Sequence, residues 1–229
     1  MNIDNRQAKM IQLEKEFGGD NLIKNLYLIR HGEAQHLIGE GLTGGWTDSD
    51  LTEKGRSQAR VTGERISELL GRVDLELYCS DFSRAKETAE IIGSILDKNP
   101  LPIKELREQN NGDAANLSLE EARKIAFPMS EPLMDWIHYP NAESWRDINK
   151  RIFEFMNGIQ QESKETVIIV SHRRTILSLI HWWLEFSEDY IKRVSFDIEP
   201  CSLTYLRFNK WDEKTMSKLN DTSHLTMIK

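Results

Sequence analysis

Cysteine is nearly absent. Cys79 and Cys201 are the only two in 229 residues, and both fall in apolar runs. That excludes the disulfide framework of a small secreted module and fits buried thiols in a reducing compartment. No Cys/His spacing of the metal-binding kind occurs, so neither a metal nor another cofactor is expected. A Lys/Arg-rich block is also missing. The 30 basic residues are outnumbered by 37 acidic ones, for a formal charge of -7, which argues against a nucleic-acid or anionic-membrane partner. Any anion site must then be local. No apolar run reaches transmembrane length, and the opening MNIDNRQAKMIQLEKEF lacks the apolar core of a signal peptide. A cytoplasmic protein is the expectation.

What the sequence does contain is the makings of one α/β domain. Hydrophobic residues at 39% are enough for a sizeable core and exclude disorder throughout. The domain is expected over residues 25–229, behind an N-terminal extension, 1–24, whose Met10, Ile11, Leu13 and Phe17 pattern a short amphipathic helix stopped at Gly18-Gly19. Two apolar runs without helical period, LYLIR from Leu26 and TVIIV from Thr166, read as buried strands of a parallel sheet. Leu75 to Cys79 reads as a third strand, and CSLTYLRFN and MSKLN as two more at an edge. Helices are predicted from the N-cap Thr52 through Ala59, Val61, Ile66 and Leu69 to Gly71, over AKETAEIIGSIL, from the capping box at Ser118, and from Glu143 through Trp145, Ile148, Ile152, Phe155 and Ile159. The stretch 128–141, with three prolines, reads as an irregular lid, part of a short lid segment near 109–142.

Chemistry gathers where strands stop. Arg30 and His31 end the first run, and ligands bind at the carboxyl ends of strands in open α/β sheets. A cation beside an imidazole can hold an anion against a nitrogen nucleophile, and phosphate is the natural candidate. The Gly-rich stretch from His36 to Gly55 can cradle phosphate oxygens, with Thr43 adding a hydroxyl, or serve as a plain flexible connection. Arg84 opens a helix directly after the second strand, where helix N-termini favour anions; the alternative is a surface ion pair with Asp81 or Glu87. Glu108 follows a short extended segment on the same side, and His172 repeats the placement of His31 after TVIIV.

Taken in order, LIRHGEA, LTEKGRSQA, YCSDFSRAKETAEI, LRE, AESW, VSH and SKLNDTSHL resemble the histidine phosphatase superfamily, which includes phosphoglycerate mutases and many phosphatases. The resemblance implies a three-layer α/β/α sandwich with a mostly parallel central sheet. It implies that His31 is transiently phosphorylated, that Arg30, Arg84 and His172 bind the phosphoryl oxygens, and that Glu108 protonates the leaving oxygen. Such chemistry needs no metal, because guanidiniums can supply the electrostatics. Three positions depart from the family pattern: Leu37, preceded by His36, stands where asparagine is common; Arg173 and Arg174 follow the second histidine in place of glycine; and Ala142 replaces a glycine before Glu143. Only 34 residues, 109 to 142, separate Glu108 from Glu143, and the family's mutases carry a longer insertion there. A phosphatase acting on a small phosphomonoester is therefore expected. A mutase and a non-catalytic phospho-ligand-binding protein are the alternatives. Arg173 is the candidate for substrate preference if its guanidinium faces the cleft, and a surface ion-pair partner if it does not.

Overall fold

In a computed structural model, residues 23–38, 41–226 and 228 are described. The helix expected over Met10 to Phe17 lies outside them. The central sheet has six strands in the order β3-β2-β4-β1-β5-β6, where β1 is Asn25–Arg30, β2 Leu75–Ser80, β3 Leu101–Ile103, β4 Thr166–Ser171, β5 Leu203–Phe208 and β6 Lys214–Asp221. The first four run parallel; β5 pairs antiparallel with β1 and carries β6 at the edge. The sheet is mostly parallel, as the apolar runs predict.

Side chains alternate across a strand, so β1 and β4 each feed two cores. Leu26, Leu28, Val167 and Ile169 pack on one face with Ile148, Ile152 and Met156 of α4 (Trp145–Ile159) and Ile176, Leu179, Ile180 and Trp183 of α5 (Arg173–Leu184). Tyr27, Ile29, Ile168 and Val170 pack on the other with Ile66 of α1 (Glu53–Leu70) and Ala89 and Ile92 of α2 (Ser83–Leu96). Helices thus cover both faces, giving three layers. The central strands are buried throughout, which explains their unbroken hydrophobic runs.

Local signals fix the helix ends. Thr52 caps α1 through Gly55 N, and Gly71 closes it at φ 58°. Capping boxes at Ser118-Glu121 and Ser144-Asp147 open α3 (Leu119–Ile125) and α4. One predicted contact differs. Leu69 is exposed, because Leu70, four residues after Ile66, continues the packed face instead. Both cysteines are free and buried, and burial pushes each thiol up to about 12. A four-residue helix, Glu188–Ile191, completes the set, and no helix among the described residues is long and apolar enough to cross a membrane.

Candidate active site

Neighbouring parallel strands bring the two histidines together. Arg30 of β1 is in register with Ser171 of β4, so the residues that follow, His31 and His172, emerge side by side. His31 N donates to Ser171 O at 2.9 Å, and the two rings lie 5.1 Å apart, centroid to centroid. The turn after His31 is tightly held. A Cβ on Gly32 would meet Gly55 O at 2.5 Å, and one on Gly55 would meet Glu33 O at 2.1 Å. The first turn of α1 therefore presses backbone to backbone against the segment carrying His31. Gly32 N donates to Thr88 Oγ1 at 3.1 Å and ties the same turn to α2.

The tautomer of His31 follows from one contact. Nδ1 lies 2.8 Å from Gly32 O, and a carbonyl only accepts, so Nδ1 carries the hydrogen and Nε2 keeps a bare lone pair. Arg84 Nε donates to that lone pair at 3.3 Å. Burial first, then the Arg84 and Arg30 guanidiniums, hold the imidazole's pKa well below its ordinary value. The ring is neutral near pH 7 and its Nε2 is nucleophilic.

Arg84 is 1% exposed, and neither Asp81 nor Glu87 is its partner: Asp81 is bound twice by Arg107 at 2.7 Å, and Glu87 pairs with Arg56 at 2.6 Å. Instead Arg84 Nη1 and Nη2 donate to the carbonyls of Thr47 and Gly45 at 2.8 and 3.0 Å. Its nearest carboxylate, on Asp48, is 3.8 Å away, and burial lowers its pKa to about 10. Arg30 Nη1 donates to Ile198 O at 2.6 Å, while its Nε is buried without a partner. His172 is fully buried; Nε2 sits 2.8 Å from Ser80 Oγ, and Nδ1 has no partner. Each unpaired buried group costs about 1–3 kcal/mol, which a bound anion can offset.

Arg30, His31 and Arg84 border a cavity of about 340 Å³, whose walls also include Glu108, Arg173 and Arg174, whereas His172 lies beside His31 but outside that wall. That is the low end of the small-molecule range, ~300–1,000 Å³. Glu108 is fixed by two backbone donors, Gln109 N at 2.9 Å and Arg174 N at 3.1 Å. Thr43 also lines the cavity; its hydroxyl donates to Ala114 O, and Asn111 Nδ2 donates to Thr43 Oγ1 at 3.3 Å. In this arrangement Thr43 pins the loop to residues 111–117 while lining the cavity where the sequence reading expects a phosphate ligand. Arg173 reaches the cavity and lies 3.8 Å from the exposed Asp197, so both of its sequence-level readings have a structural counterpart.

Sequence reasoning assigned no role to several groups found here. His36 is buried with its ring 6.2 Å from that of His31 and its Nδ1 2.6 Å from Ser49 Oγ; burial and the two arginines lower it to about 4. Its position five residues past His31 was the available signal. Glu143 is clamped by Arg151 through contacts of 2.8 and 2.9 Å. It also accepts Asn110 N at 2.8 Å, which stitches the two ends of segment 109–142 together. His138 and Tyr139 from that segment join the cavity wall.

A neutral, buried imidazole with its free nitrogen turned toward a guanidinium, set at the carboxyl edge of an α/β/α sheet, belongs to enzymes that take a phosphoryl group from a monoester. The comparison with known proteins agrees and sharpens the class. Residues 26–222 match the sequence model of the histidine phosphatase superfamily (branch 1), and the chain belongs to that family. It is 32% identical over 168 residues to the 2,3-bisphosphoglycerate-dependent phosphoglycerate mutase of Bartonella henselae, covering 69% of this chain and 80% of the mutase. Among solved structures it is similar to YhfR of Bacillus stearothermophilus, with 29% identity and a TM-score of 0.72 over 88% of this chain and 98% of that one. It is also similar to a phosphoserine phosphatase of Entamoeba histolytica in complex with 3-phosphoglyceric acid, with 25% identity and a TM-score of 0.70 over the same shares.

Proposed function

We propose that this protein is a cytoplasmic, metal-independent phosphatase of small phosphomonoesters that works through a phosphohistidine on His31. The carrying observation is the hydrogen bond from His31 Nδ1 to Gly32 O, which leaves Nε2 as the nucleophile beside Arg84. In the first step Nε2 forms a bond to phosphorus as the ester P–O bond breaks, and Glu108 gives a proton to the departing alcohol oxygen. Arg30, Arg84 and His172 stabilise the equatorial oxygens. In the second step water attacks phosphorus, the Glu108 carboxylate takes the water's proton, and the P–N bond breaks to give inorganic phosphate and the free imidazole. Arg84 must let go of Nε2 for the first step, and the arriving phosphoryl oxygens give it a new acceptor.

Two observations favour the phosphatase over the mutase. By sequence the chain aligns with 95% of a putative phosphoserine phosphatase of Hydrogenobacter thermophilus but with 80% of the mutase. Segment 109–142, its two ends hydrogen-bonded to each other, is shorter than the insertion that the resemblance leads one to expect of the family's mutases. The cavity volume favours a small molecule over a phosphoprotein. The test is phosphate release from a panel of phosphomonoesters, with a chelator present and no bisphosphate primer. Steady release from at least one member supports the reading. Isomerisation that needs primer would establish the mutase, and binding without turnover the non-catalytic alternative.

A further inference from the structure

The cavity holds more positive charge than a phosphate ester answers. Of its four guanidiniums, Arg30 and Arg84 flank His31, and Arg173 leans toward Asp197 at 3.8 Å. Arg174 is left over. Its guanidinium lies over the Trp145 ring, 4.9 Å from the centroid. Among the described residues no carboxylate stands within ion-pairing distance of it: Glu108 takes the Arg174 backbone N–H, and Glu143 is held by Arg151. The charge of Glu108 is felt at Arg174 but no ion pair forms, and a half-buried cation over an aromatic ring in the wall of a ligand cavity is positioned to receive a carboxylate.

Resting on the phosphatase reading, we infer that Arg174, whose guanidinium lies over Trp145, is a specificity-determining residue that binds a carboxylate on the substrate beside its phosphate. One leftover guanidinium matches one negative charge, which favours a carboxylate over a second phosphate dianion. The planar fork pairs with a carboxylate in a two-point contact, and among the described residues the Arg174 guanidinium makes no hydrogen bond that would compete for it. The partial burial of Arg174, which lowers its pKa, strengthens any contact made there. The arrangement assigns to Arg174 the selectivity that the sequence pattern points to at Arg173, because Trp145 orients the former while the latter reaches the rim.

The probe pair is 3-phosphoglycerate and glycerol 1-phosphate, which differ by a carboxylate against a hydroxymethyl group. The readout is the ratio of their kcat/KM values, so a general loss from misfolding cancels; nitrophenyl phosphate reports turnover itself. The parent protein should prefer 3-phosphoglycerate by about 10- to 100-fold, the range for a charge-assisted contact. Arg174→Met, which keeps the stem on Trp145, should bring the ratio close to one, chiefly through KM, and Arg174→Lys should retain part of it. Arg173→Gly should leave the ratio within about three-fold, as expected for a weak exposed pair. No preference in the parent, a preference that survives Arg174→Met, or one that disappears instead in Arg173→Gly overturns the inference while the phosphatase reading stands. Failure of the parent to turn over any of the three, nitrophenyl phosphate included, removes the phosphatase reading and this inference with it.

Discussion

Glu108 shows how tightly the side chain proposed for both proton transfers is held. Its carboxylate is aimed by Gln109 N and Arg174 N, two backbone donors that cannot swing away. The backbone carbonyl of the same residue accepts from Trp46 Nε1 at 2.9 Å and Arg151 Nη2 at 3.1 Å, so the whole residue is fixed at the cavity wall. If Glu108 gives the proton to the leaving oxygen, its removal hurts most where the leaving group most needs that proton. Glu108→Gln keeps an oxygen for the Arg174 N–H and loses the proton. It should cut kcat by about 10²- to 10⁴-fold for an alkyl phosphate and much less, within about ten-fold, for nitrophenyl phosphate. Equal losses on both would mean that Glu108 only positions substrate. His172 contrasts with it. Burial first, then Arg84 and His31, lower its pKa, and an unpartnered Nδ1 is its remaining polar atom.

At the scale of elements, the contact between the turn after β1 and the start of α1 sets where His31 points. Gly32 and Gly55 meet face to face with no room for a Cβ on either. Helix propensity alone predicts that Gly55→Ala stabilises α1 by about 1 kcal/mol. The new methyl group would instead meet Glu33 O, and overpacking of this kind costs about 1–3 kcal/mol. Gly55→Ala should therefore lower both Tm and kcat, as seen by calorimetry and a phosphate-release assay; a higher Tm with unchanged kcat would refute the packing argument. Much of this architecture is legible in the sequence. The unbroken runs of β1 and β4 announce doubly covered strands, the capping box at Ser118 marks a helix start, and RHG and SH fall at strand ends. What the sequence hides is relational. Arg84 is held by the backbone carbonyls of Gly45 and Thr47, which carry no side-chain signature. The contacts of Thr43 with Ala114 and Asn111 are equally silent in the sequence. Neither Arg173 nor Arg174 reveals its direction without the placement of Trp145, nearly thirty positions earlier in the chain.

The molecule as a whole buries histidines in neutral form, and that couples folding to pH. His36 and His181 are both lowered to about 4, His181 by burial with neither ring nitrogen hydrogen-bonded, and His31 and His172 lie well below the ordinary value. An unfolded histidine titrates near 6.5, so below that pH the unfolded chain binds protons the folded chain refuses. Stability is then fully present above about 6.5 and falls as the pH drops toward 4, each such histidine contributing up to about 1.4 kcal/mol per pH unit in that window. Urea midpoints should be level from pH 8 to 7 and decline steeply between 6.5 and 4.5, with a shallower decline in His181→Leu. A flat profile down to pH 5 would show that these histidines are not held neutral.

The central claim is that the phosphoryl group passes through His31 Nε2. Its most direct measurement is a rapid-quench experiment with phosphorus-labelled substrate, analysed for label bound to protein and mapped by peptide. The account predicts a phosphoenzyme that is labile in acid and stable in base, formed no more slowly than turnover, confined to the peptide carrying Leu26 to Glu33, and missing from His31→Ala along with activity. Turnover that leaves no label on the parent protein, or label and activity that persist in His31→Ala, would contradict it.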